Sequence, residues 1–512
     1  MSPAAESLTD RTTRAARWRL AASAVSALSQ FAIGVWLARL LTPADFGVVA
    51  LAVVVLGLAR PIADLGIGGA VVQRAALTDR HVRTAFTFST LLGLALALVM
   101  AVAAPLGGSA TGDARVTSVL RVLSAGFAIQ GTSVVAGALL RRQLDFRAQF
   151  FVETASYVFG YGSVAITLAL LGQGVWSLAW AGLVQTLFAS IAQLCIVRHS
   201  VRPLLARREL ADLLHFGFGA AASATVNYLA LNGDNFIVGR WMGAASLGLY
   251  SRAYGLMNLP YTYAASVMSS VLFPAFAQVQ GEPVRLRRGY LLLTRLTALV
   301  AAPAMVTMAI AAPHLVSSLY GPRWTGAVVP LQILCAAGYF RALYHLGGIV
   351  ASSVGLVYVE LRNQAVYASL VIAGALVGSR QGLAGVAAGV SVAILVMFFL
   401  TGRLALSATI TTWRDYLRLQ IGALVTAAVT GAIALSVRAL LEGQRASSGV
   451  IALAVVAASA VPCCIGVVWH LGEPDFEPLR ARLPRWCLTL VERDGRVSRR
   501  THTRERRVRR KR

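Results

Sequence analysis

Apolar stretches of about 20 or more residues recur along almost the whole chain, each long enough to cross a hydrocarbon core of roughly 30 Å. No other feature narrows the possible folds as far. Inside a bilayer every backbone N–H and C=O must be paired within the protein, so a run of this kind folds as a helix. Hydrophobic residues make up 57% of the 512 and charged residues 13%, where a soluble chain carries about 25% charged residues. The sequence therefore predicts an all-α polytopic membrane protein. Fourteen spans are expected, near residues 17–38, 46–70, 84–106, 116–140, 149–171, 175–197, 216–238, 244–275, 290–312, 327–351, 357–378, 382–405, 416–437 and 448–470.

Arginine placement orients these spans, because short cytoplasmic loops collect Lys and Arg. With the N-terminus in the cytoplasm, the cytoplasmic loops and the N-terminal arm carry 21 arginines. The external loops and their margins carry 8: Arg39, Arg115, Arg121, Arg240, Arg323, Arg380, Arg438 and Arg445. An even number of spans keeps the basic C-terminal tail inside as well. This topology, rather than nucleic-acid binding, accounts for most of the net charge of +26. The tail ends in Arg506, Arg507, Arg509, Arg510, Lys511 and Arg512, a composition attracted to anionic lipid by about 1 kcal/mol per basic residue. The polar N-terminus leads straight into a long helix, so no cleavable signal is expected.

The chain divides accordingly. Residues 1–16 form a cytoplasmic arm, 17–197 an N-terminal six-helix lobe, and 216–405 a C-terminal six-helix lobe. Residues 406–470 supply two additional transmembrane helices, and 471–512 the basic cytoplasmic tail. Between the lobes, residues 198–215 alternate Arg198, Arg202, Arg207 and Arg208 with Leu204, Leu205, Leu210, Leu213 and Leu214. That alternation suits an amphipathic helix lying on the cytoplasmic membrane surface.

An internal repeat supports the two lobes. Arg39-Leu-Leu-Thr-Pro-Ala-Asp-Phe-Gly47 aligns without a gap on Arg240-Trp-Met-Gly-Ala-Ala-Ser-Leu-Gly248, at an offset of 201. A weaker match, 174–182 against 382–390, has an offset of 208. Two matches at nearly one offset, both between helices, indicate an internal duplication.

Charge inside the spans is scarce and therefore informative, since an ionisable group in a membrane usually faces a bundle interior or a watery cavity. The polar set is Arg60, Asp64, Glu153, Asn227, Asp234, Asn235, Arg252, Arg341 and His345. Arg60 and Asp64 are four apart on one helix face, as are Arg341 and His345. Arg60 pairing with Asp64, and Arg252 with Asp234, is one reading of this set. The other is a substrate-facing role: two arginines deep in separate lobes suit an anion, and Arg meets phosphate in fork geometry. Glu153 lies near enough to a helix end to snorkel. The candidate substrate-binding residues are Arg60, Asp64, Asp234, Asn235, Arg252, Arg341 and His345.

No P-loop, HExxH or GxSxG motif occurs, and the external loops hold about 20 residues at most. Neither a catalytic residue nor a cofactor is expected. Cys195, Cys335, Cys463, Cys464 and Cys487 lack metal-ligand spacing and read as packing residues.

The 39–47 turn, Asp64-Leu-Gly-Ile-Gly68, Gly233-Asp-Asn-Phe-Ile-Val-Gly-Arg240 and Gly248-Leu-Tyr-Ser-Arg252 together resemble the polysaccharide flippases. These belong to the multidrug/oligosaccharidyl-lipid/polysaccharide exporter superfamily, and the likeness is to its O-antigen, colanic acid and teichuronic acid branch. The resemblance covers most of residues 17–470. It implies two six-helix lobes around a central cavity, alternating access, and an oligosaccharide on an undecaprenyl pyrophosphate carrier. It implies a place in the bacterial cytoplasmic membrane beside polysaccharide polymerases and glycosyltransferases. In the related lipid II flippases, arginines on the first, second and eighth helices bind the pyrophosphate. Arg60 and Arg252 fall on the second and eighth helices here, whereas the first has no interior charge between Arg19 and Arg39. Two other readings stay open: a drug or cation antiporter of the same fold, which would need a carboxylate such as Asp64, and a membrane glycan polymerase or ligase.

The arginine split predicts that a reporter active only outside the cell, fused after residue 512, gives no signal. A strong signal there would mean an odd number of spans.

Overall fold

The computed structural model describes residues 25–471 apart from 75 and 144. The N-terminal arm, the basic tail beyond Leu471 and Cys487 lie outside the described residues. Among the described residues all regular structure is helical.

Helix α1 covers Val25–Leu40. The turn that follows has a local cause in the Leu-Thr-Pro-Ala-Asp sequence. Thr42 caps helix α2 (Pro43–Asp64): its hydroxyl accepts the Asp45 N–H, and Asp45 Oδ2 accepts the Thr42 N–H at 2.9 Å. Each side chain satisfies a backbone donor the helix leaves open, and Pro43 occupies the first turn, where its missing N–H costs nothing. Helix α2 ends where Leu65 and Gly66 turn left-handed, and α3 (Ile67–Gln73) follows.

Next come α4 (Asp79–Thr111), α5 (Ala114–Gly131) and α6 (Val134–Arg142). The last two are one apolar stretch bent by 50° between Gly131 and Val134. Helices α7 (Phe146–Ala155) and α8 (Ser163–Leu170) are joined through a π-helical segment, Ser156–Gly162. Helix α9 spans Val175–Ile196 and α10 spans Arg207–Gln278, with a non-helical residue at Gly243. The remainder is α11 (Pro283–Leu319), a 3-10 turn, α12 (Val328–Ser353), α13 (Val357–Ser379), α14 (Gly382–Ala408), α15 (Trp413–Gly443) and α16 (Ser448–Leu471). By length and composition, eight helical stretches among the described residues can cross a membrane, or nine with the bent pair.

The stretch at 198–215 differs from its expected form, because residues 198–206 are not helical and helix begins only at Arg207. Pro203 disfavours helix at the residue before it. The N–H groups of Leu204 and Ala206 instead donate to the hydroxyls of Thr87 and Thr84 on α4, at 3.0 and 3.4 Å. Ion pairs from Arg74 to Asp212 and from Arg80 to Glu209, both 2.9 Å, hold the start of α10 to the same region.

The two copies of the repeated turn meet each other. A methyl group on Gly47 would overlap the Ala244 carbonyl oxygen, and one on Gly248 would overlap that of Pro43. Adding 201 to 43 and 47 gives 244 and 248, so the two contacts exchange under the sequence offset. Gly243 stands at the same offset from the cap Thr42. The arginines follow suit: Arg39 Nε donates to the Leu319 carbonyl at the end of α11 (2.9 Å), and the Arg240 guanidinium lies at Gly112, at the end of α4.

The described chain forms two compact units. Unit 1 holds the residues up to Leu256, Leu319–Leu331 and Arg362–Ala393; unit 2 holds Met257–Ser318, Gln332–Leu361 and the residues from Ile394 onward. Within unit 1, α5 packs along α4, α2 and α9. Buried Ile67, Val71, Ala85, Val135 and Ala138 form one core cluster where α3, α4 and α6 meet. Within unit 2, α15 and α16 pack together, and Phe340, Phe398, Trp413, Tyr416 and Tyr290 form a continuous aromatic contact joining α12, α14, α15 and α11. Glu442, at the end of α15, accepts from Arg438 Nε (2.8 Å) and contacts His314 Nε2 (2.7 Å). The Arg438 bond, followed by that of His314, holds its carboxyl below the usual range.

Gly47→Ala and Gly248→Ala should each destabilise the protein by about 1–3 kcal/mol, because backbone must separate to admit the methyl group. Gly255→Ala, which meets open space, should stay within about 0.5 kcal/mol of the parent. Thermal unfolding of the purified protein in detergent measures all three.

Candidate functional site

A cavity of about 620 Å³ lies within unit 1, walled by α2, α5, α6, the π segment and α9. The bend between α5 and α6 shapes it. There the backbones of Gly93 and Gly131 approach so closely that a side chain on either would collide with the other helix. Ser89 Oγ donates to the Gly131 carbonyl at 2.9 Å. Chain direction turns at this point, so Gln130, Ser133, Gly137 and Arg141 all reach the cavity. The π segment contributes Tyr161, which stacks on Tyr157 at 5.1 Å. Gly160, beside it, lets the α9 backbone at Gln185 come close. Irregular π turns of this sort often sit at functional sites.

Polarity changes along the cavity. At 1.5 Å per residue, Arg60 lies roughly 25 Å from the N-terminal end of α2, Gln193 about 27 Å from that of α9, and Gln185 about 15 Å. Arg60, Asp64, Arg141 and Gln193 therefore line one end of the cavity, with Gln130, Ser133 and Ser190 next to them. Gln185 and Thr186 line the middle beside Val53, Leu56 and Phe127. Val49, Leu178 and Leu183 line the opposite end. Arg60, Arg141 and Asp64 are the charged lining residues, so the formal balance favours an anion.

Arg60 is exposed to the cavity, and among the described residues it makes no ion pair with Asp64. Asp64 Oδ1 instead accepts the Gly68 N–H at 3.2 Å, bridging the break between α2 and α3. A Cβ on Gly68 would stand 3.1 Å from both Asp64 Oδ1 and Arg141 Nη2. This glycine keeps the two charged groups at the cavity wall. Tyr228 leans on Gly57, one turn from Arg60, and donates its hydroxyl proton to the Val53 carbonyl at 3.1 Å.

The other candidate residues lie apart from this cavity. Arg252, in unit 1, stands 4.1 Å over the ring of Phe46 and 6.0 Å from that of Tyr320. A guanidinium at that distance is held by the ring quadrupole. Asp234 is 2% exposed and accepts the Tyr250 hydroxyl proton at 2.8 Å and the Asn235 N–H at 2.8 Å. Arg341 and His345 belong to unit 2, where Arg341 is buried and both contact neighbouring groups. Glu153 accepts from Gln149 at 2.8 Å, one turn away.

Gln130, Gln185, Gln193 and Arg141, with the lining hydroxyls, escaped the sequence argument, which gathered deep charges, Asn and His. Gln130, Gln185 and Gln193 are uncharged, and Arg141 counts there as a loop arginine. A signal existed on α9. Between Trp180 and Gln193, its exposed apolar residues Trp180, Leu187, Phe188 and Ile191 occupy one arc of the helix, and Gln185, Ser190 and Gln193 lie off that arc.

Known proteins resemble this chain over large parts of its length. The lipopolysaccharide biosynthesis protein WzxC of Escherichia coli K12 is 25% identical over 346 residues, covering 66% of this chain and 69% of that protein. The teichuronic acid biosynthesis protein TuaB of Bacillus subtilis 168 is 26% identical over 299 residues, 58% of this chain and 62% of its own. The succinoglycan biosynthesis transport protein ExoT of Rhizobium meliloti 1021 is 28% identical over 298 residues, 58% and 60%. The chain thus spans less than two thirds of the last two. Among solved structures, the lipid II flippase MurJ in an inward closed conformation superposes with a TM-score of 0.72 at 14% identity, covering 88% of this chain and 98% of that one. An inward-facing multidrug resistance MATE transporter of the MOP superfamily gives 0.60 at 21% identity, covering 76% and 96%. The fold is the one these transporters share. The family model described as polysaccharide biosynthesis protein matches residues 36–329, more than half of the chain, and the chain belongs to that family.

Proposed function

We propose that this protein is a flippase that moves a polyprenyl-pyrophosphate-linked oligosaccharide from the inner to the outer leaflet of a bacterial cytoplasmic membrane. The observation that carries the proposal is the polarity of the cavity: two guanidiniums at one end, which the reading places on the cytoplasmic side, amides and hydroxyls from there to its middle, and apolar walls at the far end. A pyrophosphate needs the first, a glycan the second, and a pathway closed on the far side the third. Kinship with biosynthesis and transport proteins for teichuronic acid and succinoglycan supports the reading. So does a fold shared with a lipid II flippase. A volume of about 620 Å³ is within the roughly 300–1,000 Å³ of a small-ligand site. It suits the head of one lipid-linked unit and is too small for a long polymer. The positive balance of the lining speaks against a cationic drug as cargo.

In the proposed cycle Arg60 grips the pyrophosphate from the cytoplasmic side in a charge-assisted, forked contact. Rocking of one half of the fourteen-span bundle on the other then opens the cavity outward, while the lipid tail stays in the bilayer. Arg252 is proposed to take the anion later in the cycle, once its guanidinium leaves Phe46. No covalent bond is made or broken. Both termini face the cytoplasm, and the basic tail rests on anionic lipid near the polymerase and glycosyltransferases.

Flipping of lipid-linked glycans in proteoliposomes tests the proposal. Arg60→Ala should slow transport about 10- to 100-fold, the range expected for losing one charge-assisted hydrogen bond. Arg60→Lys should recover part of the rate, because charge returns without the fork. The double variant Arg60→Ala, Asp64→Ala should remain as slow as Arg60→Ala. Normal flipping by the double variant would mean that Arg60 serves only to balance Asp64.

A further inference from the structure

Three amides line the cavity from two separate elements: Gln130 at the end of α5, and Gln185 and Gln193 on α9. An amide facing lipid or apolar packing without a partner costs roughly 2–7 kcal/mol. These three face the cavity instead. Among the described residues none of them hydrogen-bonds through its side chain to another group. The hydroxyls between them are already engaged: Ser133 Oγ and Ser190 Oγ bond each other at 2.9 Å, and Ser133 Oγ also donates to the Gln130 carbonyl at 3.1 Å. Space is kept for the innermost amide by Gly137, where an added Cβ would stand 3.1 Å from Gln193 Oε1.

We infer that Gln130, Gln185 and Gln193 form a sugar-reading row that selects a neutral sugar, a hexose or N-acetylhexosamine, attached directly to the pyrophosphate. The inference rests on the flippase reading. Position supports it: the row begins at the depth of Arg60, and the first sugar is one glycosidic bond from the phosphate that Arg60 holds. Chemistry supports it as well. Each amide offers two donors and a carbonyl acceptor, which matches hydroxyl and acetamido groups that both donate and accept. Arginine reads charge and accepts nothing. At the depth of Gln185, about 10 Å from Arg60 along the helices, the lining holds no cation for the carboxylate of an acidic sugar. Sites built from neutral hydrogen-bonding groups discriminate strongly, because a cargo lacking the matching hydroxyl leaves them unpaired.

The test measures binding to the full-length protein in lipid nanodiscs with three probes: bare undecaprenyl pyrophosphate, and the same lipid carrying one glucose or one N-acetylglucosamine. The parent protein should bind at least one sugar-bearing probe about 10-fold more tightly than the bare lipid. Gln185→Leu and Gln193→Leu should each remove about 10-fold of affinity for that probe and leave the bare lipid unchanged. Gln193→Asn keeps the polarity and withdraws the amide by one methylene, so it should show the same selective loss. Arg60→Ala should weaken every probe. A parent protein that binds all three equally overturns the sugar-reading row and leaves the flippase reading standing. Equal weakening of all probes by the glutamine variants does the same, since it marks the amides as structural. Failure of the parent to bind any probe overturns the flippase reading and the row with it.

Discussion

The reciprocal seating of Gly47 and Gly248 is the constraint on which the arrangement of unit 1 depends. Each glycine lies under a backbone carbonyl of the other repeat, so neither tolerates a side chain, and the two helices cross at the distance that bare backbone allows. Close approach through small residues is the main source of packing between membrane helices, where lipid is as apolar as any side chain and exclusion of water drives nothing. The crossing brings the capped start of α2 against the second helix start, at Ala244. From there the neighbouring groups are placed in turn. Trp324, fully buried, donates its indole N–H to the Ala38 carbonyl at 2.8 Å and meets Phe46 edge-on. Phe46 carries Arg252 on its other side.

A second constraint shapes the cavity. Helices that run unbroken through a bilayer spend every backbone group on themselves and leave no room for a ligand. Unit 1 departs from regular helix at three places around the cavity: the left-handed Leu65–Gly66 step, the 50° bend before Val134, and the π segment at 156–162. Each irregularity aims a polar side chain inward: Asp64, the pair Gln130 and Arg141, and Tyr161 respectively. The same polar groups on straight helices would point at lipid or at a neighbour's packing face.

The charges divide between two tasks. Asp234 is consumed by structure, since Tyr250 and its own chain satisfy it in a buried setting. Asp64 is partly so, as the Gly68 N–H occupies one oxygen. Arg60 and Arg141 stand open to the cavity, where their donors can meet an anion from outside the protein. Arg252 is intermediate: an aromatic face holds it, which costs less to leave than an ion pair.

The sequence by itself determined the helical class, because bilayer thickness and backbone pairing admit one solution for long apolar runs. It determined the capped turn at Thr42–Asp45, a local exchange of hydrogen bonds among four residues. Arg39, Gly47, Arg240 and Gly248 were legible as a repeat, since duplication leaves an offset that needs no structure to see. The charge of Arg60 marked its helix as the one facing polar space. Only the tertiary structure decided that Gly47 and Gly248 meet, that Arg60 and Asp64 are neighbours without being a pair, and that Arg252 rests on Phe46. It alone brought Gln130, Gln185, Gln193 and Arg141 to one wall. Those four stand on three helices, α5, α6 and α9, and an uncharged amide or a loop arginine reveals its surroundings only when the packing of those helices sets its direction. Hydrophobic pattern specifies which face of a helix is buried, whereas the breaks that turn a buried face into a cavity arise from packing between distant segments.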